Sequence, residues 1–319
     1  VTLFCAQDRE FAEQLLADYE RQAGVSVAIK YDTEATKSVG LVEELRRDAR
    51  RPRCDVFWNN EIVGTIRLQR AGLLEPFTPA SADALPAWAQ APDHTWHAFA
   101  SRARVLLVNT QKVAPADYPQ SLFDLTHPKW KGQLALAKPL YGTTATQMAC
   151  LFAVLGPEKA KAWLAALKAN GVQIVAGNKP AALAVSSGQV ALALTDTDDA
   201  WGELAAGKPV AIVALDAHGH PDYPQLGTLF IPNTLALIKG GPNPTAGRRL
   251  LEHLLRVETE QALAAGASKQ IPLLAAASVT VPKELPTPER VRAMAVDFST
   301  AVDYWDATQQ YVAELFGTN

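Results

Sequence analysis

Ala191-Leu192-Ala193-Leu194-Thr195-Asp196-Thr197-Asp198-Asp199-Ala200-Trp201 is the stretch that decides how this chain is read. An apolar run stops abruptly at three acids and two threonines, and a helix-like segment follows. That is the pattern of a buried strand delivering polar groups at its carboxyl end. In open α/β sheets, ligands bind in the crevice beyond such strand ends. Three carboxylates this close repel one another, so they call for a cation, helix N–H groups or water. The stretch reads as one half of a ligand cleft, with Thr195, Asp196, Thr197, Asp198 and Asp199 as candidate ligand-binding residues.

The same event occurs three times near the start. Val1 to Ala6 reads as a strand ending in Gln7-Asp8, and a helix follows with Phe11, Leu15, Leu16 and Tyr19 at helical spacing until Gly24 stops it. Val25 to Tyr31 is a strand ending in Asp32-Thr33-Glu34, and Cys54 to Trp58 is a strand ending in Asn59-Asn60-Glu61. Each polar group has a plain explanation as a helix N-cap, since Asp, Asn and Thr accept bonds from unpaired N–H groups. Each also has a functional one. A β-α-β-α-β-α order implies right-handed crossovers and a mostly parallel sheet, so all three tips lie on one sheet edge. Asp8, Asp32, Thr33, Glu34, Asn60 and Glu61 are candidate ligand-binding residues on that ground.

Further along, Arg102 and Arg104 sit inside a strand-like stretch that turns fully apolar. At period two they share a face, either outward to solvent or as the cationic wall of a cleft. Gly142-Thr143-Thr144 opens a long helix, where backbone N–H groups and hydroxyls favour an anion, with capping as the alternative. It is not a nucleotide phosphate loop, because the glycine and lysine spacing is absent. Pro232, within the strand-like 227–239, argues for an edge or a crossing segment. The stretches 99–110 and 228–238 are long and strand-like, with a complete α/β unit between them. If the chain leaves one lobe through the first and returns through the second, closure of two lobes around a ligand follows.

At 319 residues the chain has room for two domains, and a net charge of −3 gives no reason to expect nucleic acid or an anionic membrane surface as partner. No apolar stretch is long enough to span a bilayer. Cys5, Cys54 and Cys150 are widely spaced in apolar settings and read as buried free thiols. The chain starts directly with strand-like residues, which suits an intracellular protein or one whose signal peptide has been removed. Pro288 to the end reads as core-facing helix, and Glu75 to Asp93 as a surface connection.

Several segments, in order, carry a resemblance. They are Asp55-Val56-Phe57-Trp58, Arg102-Ala103-Arg104-Val105, Ser121-Leu122-Phe123-Asp124-Leu125 with Pro128-Lys129-Trp130-Lys131-Gly132, and Leu167-Lys168-Ala169-Asn170-Gly171. Together the chain resembles the extracellular solute-binding proteins of bacterial ABC importers, in the ferric-ion-binding branch. The resemblance implies an α/β, two-lobed periplasmic-binding-protein fold (type II, transferrin-like), each lobe a mostly parallel sheet flanked by helices, with two hinge strands. On that template lobe one is 1–100 plus 236–280, lobe two is 101–235, and 281–319 is a C-terminal helical segment packing on the lobes. It also implies a monomeric periplasmic or extracellular receptor, free or lipid-anchored, that hands a small ligand to a membrane permease without catalysis.

The departures bear on the ligand. The ferric branch binds iron with two adjacent tyrosines where this chain has Thr195-Asp196-Thr197, and its first-strand histidine is matched by Asp8. Its acid after Asp-Val-Phe-Trp is matched by Asn60, with Glu61 next, and its anion loop by Gly142-Thr143-Thr144. Asp8, Glu61, Asp196 and Asp198 are therefore the candidate metal ligands, for iron or another metal ion with an anion such as phosphate or carbonate. Aspartate and threonine oxygens suit calcium, magnesium, manganese or iron(II) better than they select iron(III). The same acids also suit the cationic end of a small zwitterion such as an aminophosphonate. A metal-dependent transferase using Asp196-Thr197-Asp198 is a remote alternative, without a phosphate cradle or a supported general base. A cytoplasmic effector domain of a transcriptional regulator lacks a DNA-binding segment here.

Overall fold

The computed structural model describes residues 1–32 and 39–317. Thr33 and Glu34, two of the candidate residues, lie outside them. In chain order the elements are β1 (Thr2–Cys5), α1 (Arg9–Ala23), β2 (Ala28–Tyr31), α2 (Val39–Arg47), β3 (Val56–Asn59), α3 (Ile62–Arg70), β4 (Leu74–Glu75) and β5 (Trp96–Asn109). Then come β6 (Leu134–Ala137), α4 (Gly142–Leu155), α5 (Pro157–Ala169), β7 (Gln173–Val175), α6 (Asn178–Ser186), β8 (Leu192–Asp196), α7 (Thr197–Ala205) and β9 (Val210–Val213). The last are β10 (Phe230–Ile238), α8 (Pro244–Leu254), α9 (Val257–Ala265), α10 (Phe298–Asp303) and α11 (Trp305–Phe316). Among the described residues no helix is long and apolar enough to cross a membrane.

The chain divides into two compact units. The first comprises Val1–Ser101 and Pro232–Thr280, and the second Arg102–Ile231 and the chain from Val281 onward. In the first, β1 lies between β2 and β3, all parallel, with Leu3 level with both Ile29 and Val56. β10 runs antiparallel beside β3, and β4 pairs with the end of β10. One face of this sheet offers Leu3, Cys5, Val56 and Trp58 to α1, which contributes Ala12, Leu16 and Tyr19, and to Leu250, Leu251 and Leu254 of α8. The α1 residues recur at four and three positions, which puts them on one helix face. Burying each large apolar side chain is worth roughly 1.5–3 kcal/mol. Gly24 ends α1 in the left-handed conformation, φ 63°, with its N–H on the Glu20 carbonyl.

In the second unit β8 is central, parallel to β6 and antiparallel to β5, with Leu194 level with both Leu136 and Leu106. β7 lies parallel beyond β6, and β9 pairs antiparallel with β5. Every residue of β5, β6 and β8 is buried. That is why β6, the start of β8 and residues 105–108 of β5 read as apolar runs rather than alternating ones, while His97, Ser101, Arg102 and Arg104 of β5 are buried polar groups. α4 is buried continuously from Thr143 to Phe152, and α10 and α11 pack against it. Cys5 and Cys54 in the first unit and Cys150 in the second are buried free thiols.

The structure corrects two local expectations and decides between two readings of a third. The tail is not helical from Pro288: its helices begin at Phe298, and before them Ala293 forms a parallel bridge with Thr228. The Thr228 N–H donates to the Arg292 carbonyl (2.9 Å) and the Met294 N–H to the Thr228 carbonyl (2.9 Å), so these groups are unavailable to a helix ladder. Of the two readings of Pro232 the edge falls, since β10 pairs with both β3 and β4, and the crossing segment stands, since the chain passes from the second unit to the first between Ile231 and Pro232. Pro232 precedes the paired run Thr234–Leu237, where its missing N–H is not needed. The 75–93 connection is not merely superficial, for Ala82, Leu85, Ala89 and Ala91 are buried.

Candidate ligand site

In the first unit, parallel pairing of β1, β2 and β3 brings Gln7-Asp8, Asp32 and Asn59-Asn60-Glu61 off the same sheet edge. The capping and ligand readings separate here. Glu61 is a cap: buried, it accepts the Gly64 N–H on both carboxylate oxygens (2.9 and 3.0 Å) and the Asn59 Nδ2 (3.0 Å). Asn59 Nδ2 also donates to Thr65 Oγ1 (3.1 Å), which meets Thr234 Oγ1 at 2.6 Å. Gly64 is required at this point, because a Cβ there would overlap the Glu61 carboxylate and lie 2.9 Å from Val42. Asp8, at the N-cap of α1, makes no capping bond with its side chain. Asn60 is buried, and Asp32 is half-buried with its N–H on the Cys5 carbonyl. Replacing Glu61 with Ala is expected to destabilise the first unit by about 1–2 kcal/mol, the loss of a cap in a buried setting, as read from a urea titration. A change within error would show that the cap carries no stability.

In the second unit the antiparallel register sets Arg104 directly against Asp196. Arg104 Nη1 donates to Asp196 Oδ1 (2.8 Å) and Asn178 Oδ1 (3.0 Å), while Nε donates to Gln147 Oε1 (3.0 Å). The other oxygen of Asp196 accepts Thr143 Oγ1 (2.6 Å) and Asn178 Nδ2 (2.9 Å). Arg102 Nη1 lies 3.7 Å from Asp198 Oδ2. Thr144 Oγ1 donates to Asn178 Oδ1 (3.1 Å), Thr195 Oγ1 to the Asn178 carbonyl (3.0 Å), and the Ala103 N–H to Thr197 Oγ1 (3.1 Å). Both arginines are nearly sealed from solvent, at 2% and 3% exposure, so the outward-facing reading is excluded.

Burial alone would raise the Asp196 carboxyl. The Arg104 and Arg102 charges and the Thr143 hydroxyl outweigh that and hold it below the usual carboxylate range. One carboxylate oxygen from each of Asp196, Asp198 and Asp199 falls within 4.8 Å of the others. The repulsion read from the sequence is thus answered inside the chain. Arg102 and Arg104 thus each stand against one of the three clustered acids. Gly142 begins α4 with φ 57°, a left-handed turn that suits glycine and brings Thr143 onto Asp196.

Two members of this group were missed. Asn178 bonds to Asp196, Arg104, Thr143 and Thr144, yet Ala176-Gly177-Asn178 repeats the strand-end pattern that flagged the others. Gln147 lies four residues beyond Thr143 on α4, a spacing that shares a helix face.

Each of the two units thus carries polar groups at the ends of its strands. The family model for bacterial extracellular solute-binding proteins matches residues 65–301, and the chain belongs to that family. The major ferric iron-binding protein of Neisseria meningitidis is 28% identical over 273 residues, covering 83% of this chain and 78% of that one. The crystal structure of iron-bound HitA from Pseudomonas aeruginosa superposes with a TM-score of 0.85 at 23% identity, over 98% of each chain. The periplasmic binding protein AfuA from Actinobacillus pleuropneumoniae, with fructose-6-phosphate bound, gives 0.85 at 17% identity, over 100% and 99%. These likenesses establish the two-lobed periplasmic-binding-protein fold. The chain is a solute-binding receptor of ABC importers, with a small ligand and a permease as its partners.

Proposed function

We propose that the ligand is iron, carried with an oxyanion, and that Asp196, Asp198 and Asp199 supply oxygens to it beside Thr143 and Thr144. The observation that carries the reading is the convergence of those three carboxylates within 4.8 Å at the end of β8. Relatives named for ferric iron support it. The two guanidiniums offset part of the charge of the three acids, which leaves a role for an accompanying anion such as phosphate or carbonate in neutralising a trivalent cation. Oxygen donors suit such a hard ion, although Thr195 to Trp201, where β8 ends and α7 begins, hold no tyrosine. Of the other ligands expected from the sequence, the Glu61 carboxylate is committed to capping α3.

A second reading has its own observation. Asp196 and Asp198 each already face a guanidinium, and Thr143, Asn178 and Arg104 form a donor-rich group. That chemistry suits the phosphonate or phosphate of a small organic ligand, with Asp199 toward a cationic end. Thermal-shift measurements on metal-stripped protein separate the two. Ferric ion with phosphate or carbonate should raise Tm by mass action, and more than ferric ion alone. A shift with 2-aminoethylphosphonate or a sugar phosphate and none with ferric ion would sink the iron reading. The Asp196→Asn, Asp198→Asn double variant should weaken whichever ligand binds by about tenfold or more for each charge-assisted bond lost. Unchanged affinity would remove these acids from the site.

A further inference from the structure

Five of the eight residues 46–53 are arginine, in a chain whose net charge is −3. The segment closes α2 in the first unit. That helix buries Leu41, Val42, Glu44 and Leu45, which leaves Arg46 and Arg47 exposed in its last turn. Two cations there suit the negative end of the helix dipole. Arg50, Arg51 and Arg53 lie beyond the helix, where that explanation does not reach. A tight turn presents them. The Asp48 N–H donates to the Glu44 carbonyl (2.9 Å) and the Arg51 N–H to the Asp48 carbonyl (2.8 Å).

The acids beside this segment are already committed. Arg53 Nη2 donates to Asp48 Oδ2 (2.6 Å) and Glu44 Oε1 (3.0 Å), so Arg53 braces the turn. Lys30 Nζ also holds Glu44 Oε1 (2.6 Å). Glu43 Oε1 accepts Arg67 Nη2 (2.9 Å) and Arg46 Nη1 (3.4 Å). Among the described residues no carboxylate lies within ion-pair distance of Arg47, Arg50 or Arg51, and all three are exposed. Three like charges within five residues repel one another, and an external anionic surface relieves that. A net charge averaged over the chain conceals such a patch. A protein partner would add apolar contact, because interface cores are rich in aromatic side chains and poor in charge. The exposed large apolar side chains among the described residues are Val25, Trp88 and Leu183, all outside 39–53. A headgroup layer needs only the charge, and guanidinium groups pair with phosphate oxygens two bonds at a time. The permease is a membrane protein, so a receptor that serves it works beside a bilayer.

We propose that Arg47, Arg50 and Arg51 form a docking site for the phosphate headgroups of anionic phospholipids, by which the first unit is held at a membrane surface through charge. The proposal goes beyond the ligand reading and is independent of it. Co-flotation of the full chain with vesicles, without added solute, tests it. The protein should bind vesicles of phosphatidylglycerol and phosphatidylcholine in equal parts, and not phosphatidylcholine alone. It should leave them as ionic strength rises past about 0.15 M, where screening shortens to about 8 Å. In Arg47→Gln, Arg50→Gln, Arg51→Gln the partition coefficient should fall about a hundredfold, near fivefold for each basic residue at an anionic surface. Tm should not change, because the three side chains hold no partner in the fold. Lys112→Gln, Lys131→Gln, Lys208→Gln alters net charge equally with exposed lysines of the second unit, and should bind as the parent does. An equal loss in that control would assign the effect to net charge and overturn the site. So would binding to neutral vesicles, no binding to the anionic ones, or a triple arginine variant that binds undiminished. A parent that ignores anionic vesicles yet binds polyglutamate would move the surface to an acidic protein, which overturns the lipid assignment as well.

Discussion

Asp196→Ala is expected to destabilise the second unit by about 3–5 kcal/mol, because it strands the Arg104 guanidinium in a nearly solvent-free setting. Thr143 and Asn178 lose their acceptor with it. Chemical denaturation measures the loss, and a change under about 1 kcal/mol would show that water reaches Arg104 and replaces the carboxylate. Arg104→Leu with Asp196→Leu should cost less than the two single changes summed, since neither charge is then left alone. The pair also has a pH signature. The folded-state pKa of Asp196 is depressed, so its contribution is fully present above the unfolded carboxylate value of about 3.9 and is lost as pH falls through the folded value. Stability of the parent should therefore drop on acidification below about pH 4 more steeply than that of Asp196→Asn. Parallel pH profiles would contradict the pairing.

Gly227→Ala is expected to cost about 3 kcal/mol and to loosen the tail. A Cβ at Gly227 would stand 2.5 Å from the Arg292 carbonyl oxygen and 2.7 Å from the Ala293 carbonyl carbon. Both obstacles are backbone, which cannot swing aside as a side-chain tip can. The bridge between Thr228 and Ala293 is the neighbouring contact, so the strand on either side must move. Limited proteolysis should cut the variant within 281–297 under conditions that leave the parent intact. Equal resistance would mean that the tail is held by α10 and α11 on α4 and not by this bridge.

Much of this architecture was legible in the chain. Strands in the first unit end at polar groups and helices begin there, and the parallel pairing of β1, β2 and β3 follows from that order. The acid cluster after Leu194 lies where its apolar run placed it, at the end of β8. What the chain could not disclose depends on partners distant in sequence. Arg102 and Arg104 had two admissible faces, and only the register against β8 chooses between them. Glu61 and Asp8 occupy equivalent cap positions, yet one caps its helix with its side chain and the other does not, a difference set by Gly64 making room for a carboxylate. Ala100 is the extreme case. Alanine carries no local signal for a left-handed turn, yet Ala100 holds φ 38° within β5, its N–H donating to Glu260 Oε1 and its carbonyl accepting Asn233 Nδ2 from far along the chain.

The three thiols give the molecule an unplanned use. Cys5, Cys54 and Cys150 have no exposed surface, and burial also raises the Cys54 thiol pKa, away from the reactive thiolate. A maleimide therefore finds nothing to modify on an intact molecule, and each label incorporated dates an opening event. Peptide mapping assigns it, because Cys5 and Cys54 report on one unit and Cys150 on the other. The same silence makes the surface a blank sheet. A single cysteine added anywhere on it takes a fluorophore at one address, with no native thiol to remove first.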